Sequence, residues 1–508
     1  YRYVFQRQST VVARSETAYV FFVSTTSASN SVTASASYGL EISREATVQV
    51  ACVGDQTNVF AALVSLPLVQ SANISISLGG SLRVQSQGRD QWITAGIVFS
   101  NTRVNDLSIA VASGDGTTTS GDSPVVTPDS SSSSSSRSLL AVDGGLGMAY
   151  GMFVQNCTVD RILVNLSGRN VVVNTTGATV AHVCLLTMSE VRYAVVYNVA
   201  GGARVFAGAS NVFGTGSLFT FYGDPDRPPP PFETAASIDV AILSSASVKV
   251  STGVIGVALV TSLVNVAYCR LNLTVGGNVT VICSADDFKV SKNIWGTRPE
   301  PAVAVLRLAT TREPSPTWPV GNTSVSLGDG GSMSEVSLFS AFSWVTVVAL
   351  TEFPQAVMAR LFVTVSAVNV SIVARLLGGA SFATMRGVTI GLHNTTTPTG
   401  APAVSGGGSA SAVVAPAVVD VSFSDHSIIT VFAGDNAAVV LVCSSCNVTQ
   451  GAMRVAFLSG AQVSVTSRSI SRGYAGVVQL NSRSALGGPL CIIAASAAAI
   501  LVSAQREA

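Results

Sequence analysis

The chain has little charge and very little lysine. Of its 508 residues only 11% are charged, whereas about a quarter are charged in an ordinary soluble domain. The lysines are Lys249, Lys289 and Lys292, so nearly all of the positive charge comes from arginine. The formal net charge is +1 and no basic run occurs. These absences exclude the electrostatic footprint of a nucleic-acid-binding protein, and we expect no nucleic-acid partner.

Long apolar runs suitable for membrane helices are also lacking. The best stretch, 250–269, is rich in glycine and β-branched residues, which favour strands. A second stretch, 490–504, is short and rich in alanine and serine, so we predict strands in both places. The chain begins Tyr-Arg-Tyr-Val, without a start methionine or an apolar leader, and we expect it to be a processed product or a fragment.

One pattern recurs along the chain. A small residue and an apolar triplet lead to a Ser/Thr/Asn corner, then come a valine, an alternating strand, a glycine-rich turn and another alternating strand. A clear copy is 95–100, followed by Val104 and by 107–111. Aligned corner positions repeat at about 36 residues or at larger spacings that include insertions: Val69, Val104, Val159, Val191, Val266, Val448 and Ala485. A fixed period of this length indicates a repeat architecture.

Each period holds about three short strands, which cannot bury their apolar side without a neighbour. We therefore predict an all-β fold, a parallel β-solenoid (β-helix) of about eleven coils, which would form a rod on the order of 50 Å long. The alternative is an array of β-sandwiches, whose strands have similar spacing. The single unbroken period favours the solenoid.

The repeat predicts a simple domain organisation. Residues 40–508 form the solenoid, and the strand-like residues 1–39 form an N-terminal cap or a segment exchanged with another copy. Polar, low-complexity insertions leave the coil corners near 113–137, 224–232, 286–301 and 395–411.

Acceptor sites for N-linked glycans are roughly twice as frequent as chance predicts. The ten asparagines are Asn73, Asn156, Asn165, Asn174, Asn272, Asn278, Asn322, Asn369, Asn394 and Asn447. Together with a run of seven serines at 130–136, they predict a secreted or cell-surface protein that carries covalent glycans.

The eight cysteines are compatible with disulfides in such a compartment. The disulfide candidates are Cys157 with Cys184, Cys269 with Cys283, and Cys443 with Cys446. Spacing alone leaves their connectivity open, because eight cysteines allow about 105 pairings. A single Cys-X-X-Cys motif does not make a zinc site.

Signals for catalysis are weak. His182, His393 and His426 have no metal-ligand spacing, and we predict no catalytic residue, metal site or cofactor. Polysaccharide lyases and hydrolases on β-helices need clustered acidic and basic groups. The best such group is Asp286, Asp287 and Lys289, with Arg270 as a partner, and we interpret it as part of a solvated loop.

The repeats 181–186 (AHVCLL) and 272–281 (NLTVGGNVTV) resemble the surface proteins of kinetoplastid protists, above all the trypanosome dispersed gene family. The composition, rich in Val, Ala, Ser and Arg, is similar too. The resemblance implies pectin-lyase-like β-helical repeats and an adhesive surface role, and it supplies no catalytic residues.

We therefore expect a structural or adhesive extracellular glycoprotein, with end-to-end self-association into a fibril as a specific form. A carbohydrate-active enzyme and a glycan-binding adhesin remain the alternatives.

Overall fold

The computed structural model contains strands and turns throughout the part of the chain that it describes. The described residues are 2–15, 21–24, 35–52, 58–67, 69, 71–86, 92–112, 137–211, 214–222, 237–253, 255–262, 270–285, 301–309, 321–328, 331–341, 344–376, 378–391, 417–442, 446–449, 451–469, 473–480 and 484–506. Within these ranges there is no helix, and hence none with the length and hydropathy to cross a membrane.

The strands are short and follow one another closely. In chain order they are β1 (Arg2–Phe5), β2 (Thr10–Ser15), β3 (Phe21–Ser24), β4 (Ala36–Ile42), β5 (Thr47–Cys52), β6 (Val59–Ser65), β7 (Ala72–Leu78), β8 (Ser81–Gln85), β9 (Ile93–Ser100), β10 (Arg103–Ala112), β11 (Ser138–Asp143), β12 (Met148–Gln155), β13 (Thr158–Ser167), β14 (Val171–Gly177), β15 (Val180–Thr187), β16 (Glu190–Ala200), β17 (Arg204–Ala209), β18 (Thr215–Tyr222), β19 (Ser237–Ile242), β20 (Ser247–Thr252), β21 (Ile255–Ser262), β22 (Arg270–Val275), β23 (Thr280–Ala285), β24 (Pro301–Ala309), β25 (Gly321–Leu327), β26 (Ser334–Ser340), β27 (Trp344–Ser366), β28 (Val368–Ala374), β29 (Ala380–Gly391), β30 (Ala417–Ser424), β31 (Ile428–Ala433), β32 (Ala437–Val442), β33 (Asn447–Thr449), β34 (Ala452–Phe457), β35 (Gln462–Ser469), β36 (Ala475–Leu480), β37 (Ala485–Leu486), β38 (Leu490–Ala494) and β39 (Ala499–Arg506).

Each coil contributes one strand to each of three parallel faces. Face 1 consists of β3, β6, β9, β12, β15, β18, β21, β24, the first part of β27, β29, β32 and β36. Face 2 consists of β1, β4, β7, β10, β13, β16, β19, β22, β25, the second part of β27, β30, β34 and β38. Face 3 consists of β2, β5, β8, β11, β14, β17, β20, β23, β26, β28, β31, β35 and β39. The short strand β33 pairs with the end of β29, and β37 pairs with β33.

This architecture confirms the predicted all-β parallel solenoid. Face 3 has 13 strands, somewhat more than the eleven coils expected, and at about 4.8 Å per step they span roughly 60 Å. Part of the difference comes from the first 39 residues. Their strands β1, β2 and β3 pair in parallel with β4, β5 and β6, and so add a coil to the stack.

The predicted insertions near 113–137, 224–232, 286–301 and 395–411 lie almost entirely outside the described residues. The strands that flank each of them belong to adjacent faces. For example, β11 pairs directly with β8, although 113–136 intervene in the chain. Each insertion therefore falls, in chain order, between the strands of two adjacent faces, and the stack continues in the strands after it.

The core is a column of aliphatic side chains inside the coils. Faces 2 and 3 alternate between buried and more exposed positions, as in β7 and β14. Leu107, Ile162 and Val195 follow one another in register, and each is at most 2% exposed. Burial of each such side chain stabilises the fold by about 1.5–3 kcal/mol. The stacking of like residues explains how a sequence poor in aromatics builds a long continuous core.

Face 1 differs because both of its sides are buried. In β9, Ile97 and Phe99 point into the core, whereas Ala95 and Val98 belong to a second apolar cluster on the outer side. The alternation of inward and outward side chains shifts by one residue at Gly96, which lies between the register pairs of Ala95 and Ile97. Face 1 therefore reads in the sequence as a continuous apolar run rather than as an alternating strand.

Candidate functional site

Six of the predicted glycan acceptors lie on strands, at positions that point away from the core. The neighbours of Asn73 and Asn272 along the chain, such as Ile74 and Leu273, are at most 3% exposed, so the asparagines themselves face outward. Asn73, Asn165, Asn272 and Asn322 are on face 2, and Asn174 and Asn369 are on face 3. Asn73, Asn322 and Asn369 are exposed, and Asn165, Asn174 and Asn272 are partly exposed.

Two further acceptors occupy corners. Asn156 and Asn278 are exposed and have φ values of 50° and 61°. Asparagine tolerates this left-handed conformation better than most residues do. The Nδ2 of Asn278 donates to the Oγ of Ser245 in the preceding coil at 3.5 Å. These corner asparagines therefore have a structural role beside any role as acceptors.

The remaining two acceptors are less fully described. Asn394 lies outside the described residues, and for Asn447 only the backbone, in β33, is described. No statement about their side chains follows.

The structure does not bring Cys157 and Cys184 together. Cys184 is a free, buried thiol that lies beside Met152 in the ladder, and burial raises its pKa. Cys157 lies at the next corner, where its backbone N–H donates to Ser189. The two cysteines are one coil apart in the chain but at different positions around the coil.

The other disulfide candidates are described in part. Cys283 and Cys446 are buried, and the thiol of Cys446 donates to the carbonyl of Met385 at 2.9 Å. Their predicted partners, Cys269 and Cys443, lie outside the described residues, so both pairings stay predictions.

The acid–base candidate falls mostly on the same undescribed segments. Asp286, Asp287 and Lys289 lie outside the described residues, and Arg270 is exposed at the start of β22. Among the residues that the structure describes, no group of three or more His, Cys, Asp or Glu is arranged to hold a metal ion.

A buried polar group on face 1 was not expected from the sequence. The Nδ1 of His182 and the Oγ of Ser217 are 2.7 Å apart, and Ser217 is also hydrogen-bonded to Thr220. The ring of Tyr150 lies 5.9 Å from that of His182. Burial lowers the pKa of His182 to about 4. The imidazole is therefore neutral at pH 7.

A serine beside a histidine has the geometry of a nucleophile and a base. Here His182 is 6% exposed and Ser217 is fully buried, and a base with so low a pKa is poorly matched to neutral pH. The same arrangement recurs without histidine, since Ser381 bonds both Thr346 and Thr384. We therefore interpret both groups as packing interactions, which the repeated Ser-X-X-Thr pattern in β18 and β29 would have indicated.

No family model matches this chain, and neither a curated protein nor a solved structure matches it.

Proposed function

We propose that the protein is a structural or adhesive glycoprotein of the extracellular space or the cell surface. The observation that carries the proposal is the distribution of the acceptor asparagines over an uninterrupted stack. All six strand acceptors with described side chains lie on faces 2 and 3, and all point outward. The sequence resemblance to kinetoplastid surface proteins supports the same interpretation.

The difference between the faces supports the proposal further. The outer side of face 1 is buried and carries rings such as Tyr150 and Phe153, which stack with centroids 5.0 Å apart, together with the buried His182 group. A glycan must project into water, and faces 2 and 3 provide exposed polar positions for it. The acceptors are therefore placed where glycans would not disturb the packing of the coils.

The ends of the described stack support assembly. In the last coil Leu480 and Ile500 are 48% and 36% exposed, although their ladder partners Val442 and Val463 in the preceding coil are at most 3% exposed. β39 pairs with β35 on one side only. Such strand edges and apolar ends can pair with a further coil. End-to-end contact between copies would extend the stack into a fibril.

Intact-mass measurement tests the glycan part of the proposal. The chain is expressed through a eukaryotic secretory pathway, and its mass is compared before and after enzymatic removal of N-glycans. We expect the mass to decrease when the glycans are removed. In Asn73→Gln and in Asn322→Gln this decrease should be smaller than in the unaltered chain, by the mass of one glycan. Asn198→Gln, at a partly exposed position beside Asn165 on face 2 and outside any acceptor motif, is the matched control. An unmodified mass would contradict the glycoprotein assignment.

Sedimentation and electron microscopy test the assembly part. We expect rods that lengthen with concentration, and shorter rods for Leu480→Lys or Ile500→Lys, because a charge on the open side of a terminal coil opposes stacking. Thr430→Lys, on the exposed outer side of a middle coil, is the control. Monodisperse monomers of the unaltered chain at micromolar concentration would rule out assembly.

Glycan binding is the second candidate function, favoured by a basic groove on face 3.

A further inference from the structure

A shallow groove of about 550 Å³ crosses the outer side of face 3. Its lining includes Arg83, Arg204 and Lys249, with Asn174 and Phe206 between them. A second depression, of about 520 Å³, adjoins it at the neighbouring corner and shares Arg204 with it. Both volumes are in the range of small-molecule sites.

The parallel register places all of these residues except Arg204 on one line along the rod, and Arg204 lies two residues before Phe206 on β17. Arg83, Ala141, Asn174, Phe206 and Lys249 are successive members of one ladder, contributed by β8, β11, β14, β17 and β20. Four steps of about 4.8 Å separate Arg83 from Lys249, which gives about 19 Å. The groove therefore runs parallel to the rod axis and is longer than a single sugar or phosphate.

The cations of the groove have no acidic partner among the described residues. Elsewhere in the stack, arginine forms ion pairs with carboxylates of an adjacent coil, as Arg7 does with Glu45 at 2.8 Å. In the groove, Arg83, Arg204 and Lys249 are exposed, and no ion pair joins them to described residues.

One carboxylate of face 3, Asp143, is near the groove in the strand register and accepts hydrogen bonds from two neutral groups. Asp143, one position along the rod from Thr176, accepts hydrogen bonds from the backbone N–H of Gly145 at 3.1 Å and from Thr176 at 3.4 Å. It lies outside the groove lining. The groove lining therefore contains three cations and no carboxylate, in a chain whose net charge is only +1.

The middle of the groove offers polar and apolar contacts as well. Asn174 lines the groove and is partly exposed. Its side-chain amide can exchange hydrogen bonds with the hydroxyl groups of a ligand. Phe206 is half-buried beside Asn174 and offers a flat apolar surface on which a sugar ring can pack.

We propose that this groove binds a linear acidic polysaccharide that lies along the rod axis. Separated cations over about 19 Å suit a flexible chain with regularly spaced carboxylate or sulfate groups better than a single compact anion. The amide of Asn174 and the ring of Phe206 between the cations suit the hydroxyls and faces of sugar residues. This inference deepens the adhesive role proposed above and rests on it.

The test measures binding of the full chain to immobilised polysaccharides by surface plasmon resonance. Heparin provides sulfate and carboxylate groups, polygalacturonate provides carboxylates alone, and neutral dextran is the uncharged reference. We expect binding to one or both acidic chains, little to dextran, and weakening as salt is raised. The relative strength of heparin and polygalacturonate assigns the acidic group that is recognised.

Matched triple variants separate the groove from net charge. Arg83→Ser, Arg204→Ser and Lys249→Ser together should lower the affinity at least tenfold. Arg103→Ser, Arg270→Ser and Arg375→Ser together remove three exposed arginines outside the groove and should lower it less than threefold. The charge-preserving variant with Arg83→Lys, Arg204→Lys and Lys249→Arg should retain binding, which also shows that the site tolerates substitution and folds.

A glycan on Asn174 would fill the groove, so binding is also measured on Thr176→Ala, which abolishes that acceptor motif but leaves Asn174 in place. Equal losses in the two serine triples, or equal binding to dextran, would overturn the proposal. So would the absence of acidic-polysaccharide binding by Thr176→Ala protein at physiological salt. The binding assay is independent of the intact-mass measurement, so failure of the groove and failure of the glycoprotein assignment are distinguishable.

Discussion

The side chain of Asn156 donates a hydrogen bond from Nδ2 to the Oδ1 of Asn101, which stands 55 residues earlier at the same corner of the preceding coil. Both asparagines have a left-handed backbone, with φ values of 50° and 51°. Asparagine suits this position because its short polar side chain tolerates the conformation and can bond locally. One residue type thus stabilises both the turn and the contact between coils.

Replacing Asn101 tests the importance of this corner. We expect Asn101→Ala to lower the free energy of unfolding by about 1–2 kcal/mol, because alanine disfavours a left-handed backbone and the hydrogen bond is lost. Asn101→Gly keeps the backbone conformation accessible and should cost less. The measurement is guanidinium denaturation followed by circular dichroism, and identical midpoints for Asn101→Ala and the unaltered chain would contradict the interpretation.

His182 makes the stability depend on pH. Its pKa is about 4 in the folded chain because of burial, whereas an unfolded histidine titrates near 6.5. Below about pH 6.5 the unfolded chain therefore binds a proton that the folded chain does not. The burial of His182 therefore has no pH-dependent cost above pH 6.5. As the pH decreases from 6.5 towards 4, the free energy of unfolding decreases, by about 3 kcal/mol in all.

Denaturation at pH 7 and at pH 4.5 checks this expectation. His182→Gln retains a polar partner for Ser217 but removes the titrating ring, so the difference between the two pH values should shrink. Thr346→Ala, which removes a hydrogen-bond partner of Ser381 but no titrating group, is the matched control and should leave the difference unchanged. A pH dependence that is the same in His182→Gln and in the unaltered chain would refute the role of His182.

Two glycines predict opposite outcomes for the same substitution. Gly328 has a φ of 83°, and a Cβ there would lie 1.5 Å from the carbonyl oxygen of Ser366. At Gly476 the nearest atom to a Cβ is the carbonyl oxygen of Val478, at 3.8 Å. We expect Gly328→Ala to lower stability by several kcal/mol, on the order of 3–5, because the backbone of the next coil must move. Gly476→Ala should change stability by less than about 1 kcal/mol, and similar denaturation midpoints for the two variants would contradict this reading.

The repeat could be read from the sequence where the coils have similar corners. Val104 and Val159, aligned by their pattern, are partners in the parallel ladder, and Val159 pairs in turn with Val191. The same alignment is wrong at Val69, since Val104 pairs with Ala72, and it is wrong by one residue near the end of the chain, since Val448 pairs with Leu486 rather than with Ala485. The short strands there carry too little of the pattern to set the register.

The groove on face 3 could not be found in the same way. Its cations Arg83, Arg204 and Lys249 are far apart in the chain, and the insertion at 113–136, which lies outside the described residues, separates Arg83 from the next strand of face 3. Only the pairing of β8 with β11 shows how many coils lie between them. The buried His182 group could not be predicted for another reason, because face 1 is buried on both sides and lacks the alternation that distinguishes inside from outside.

The pair of Asp420 and Arg454 tests how charges stabilise contacts between coils. Arg454 donates from Nε to Oδ1 of Asp420 at 3.0 Å and from Nη2 to its other oxygen. Asp420 is only 9% exposed. Arg454→Met keeps the apolar stem of the side chain but leaves a nearly buried carboxylate without its partner. We therefore expect it to lower stability by about 2 kcal/mol.

A double-mutant cycle isolates the interaction. Asp420→Asn alone should also destabilise the chain, and the combination Asp420→Asn with Arg454→Met should cost less than the sum of the two single changes. The difference, a coupling of about 1–2 kcal/mol, is measured from denaturant midpoints at low salt. Because Arg454 is half-exposed, the coupling should decrease as salt is raised. Additive single effects would mean that the hydrogen-bonded pair contributes nothing beyond the packing of its two side chains.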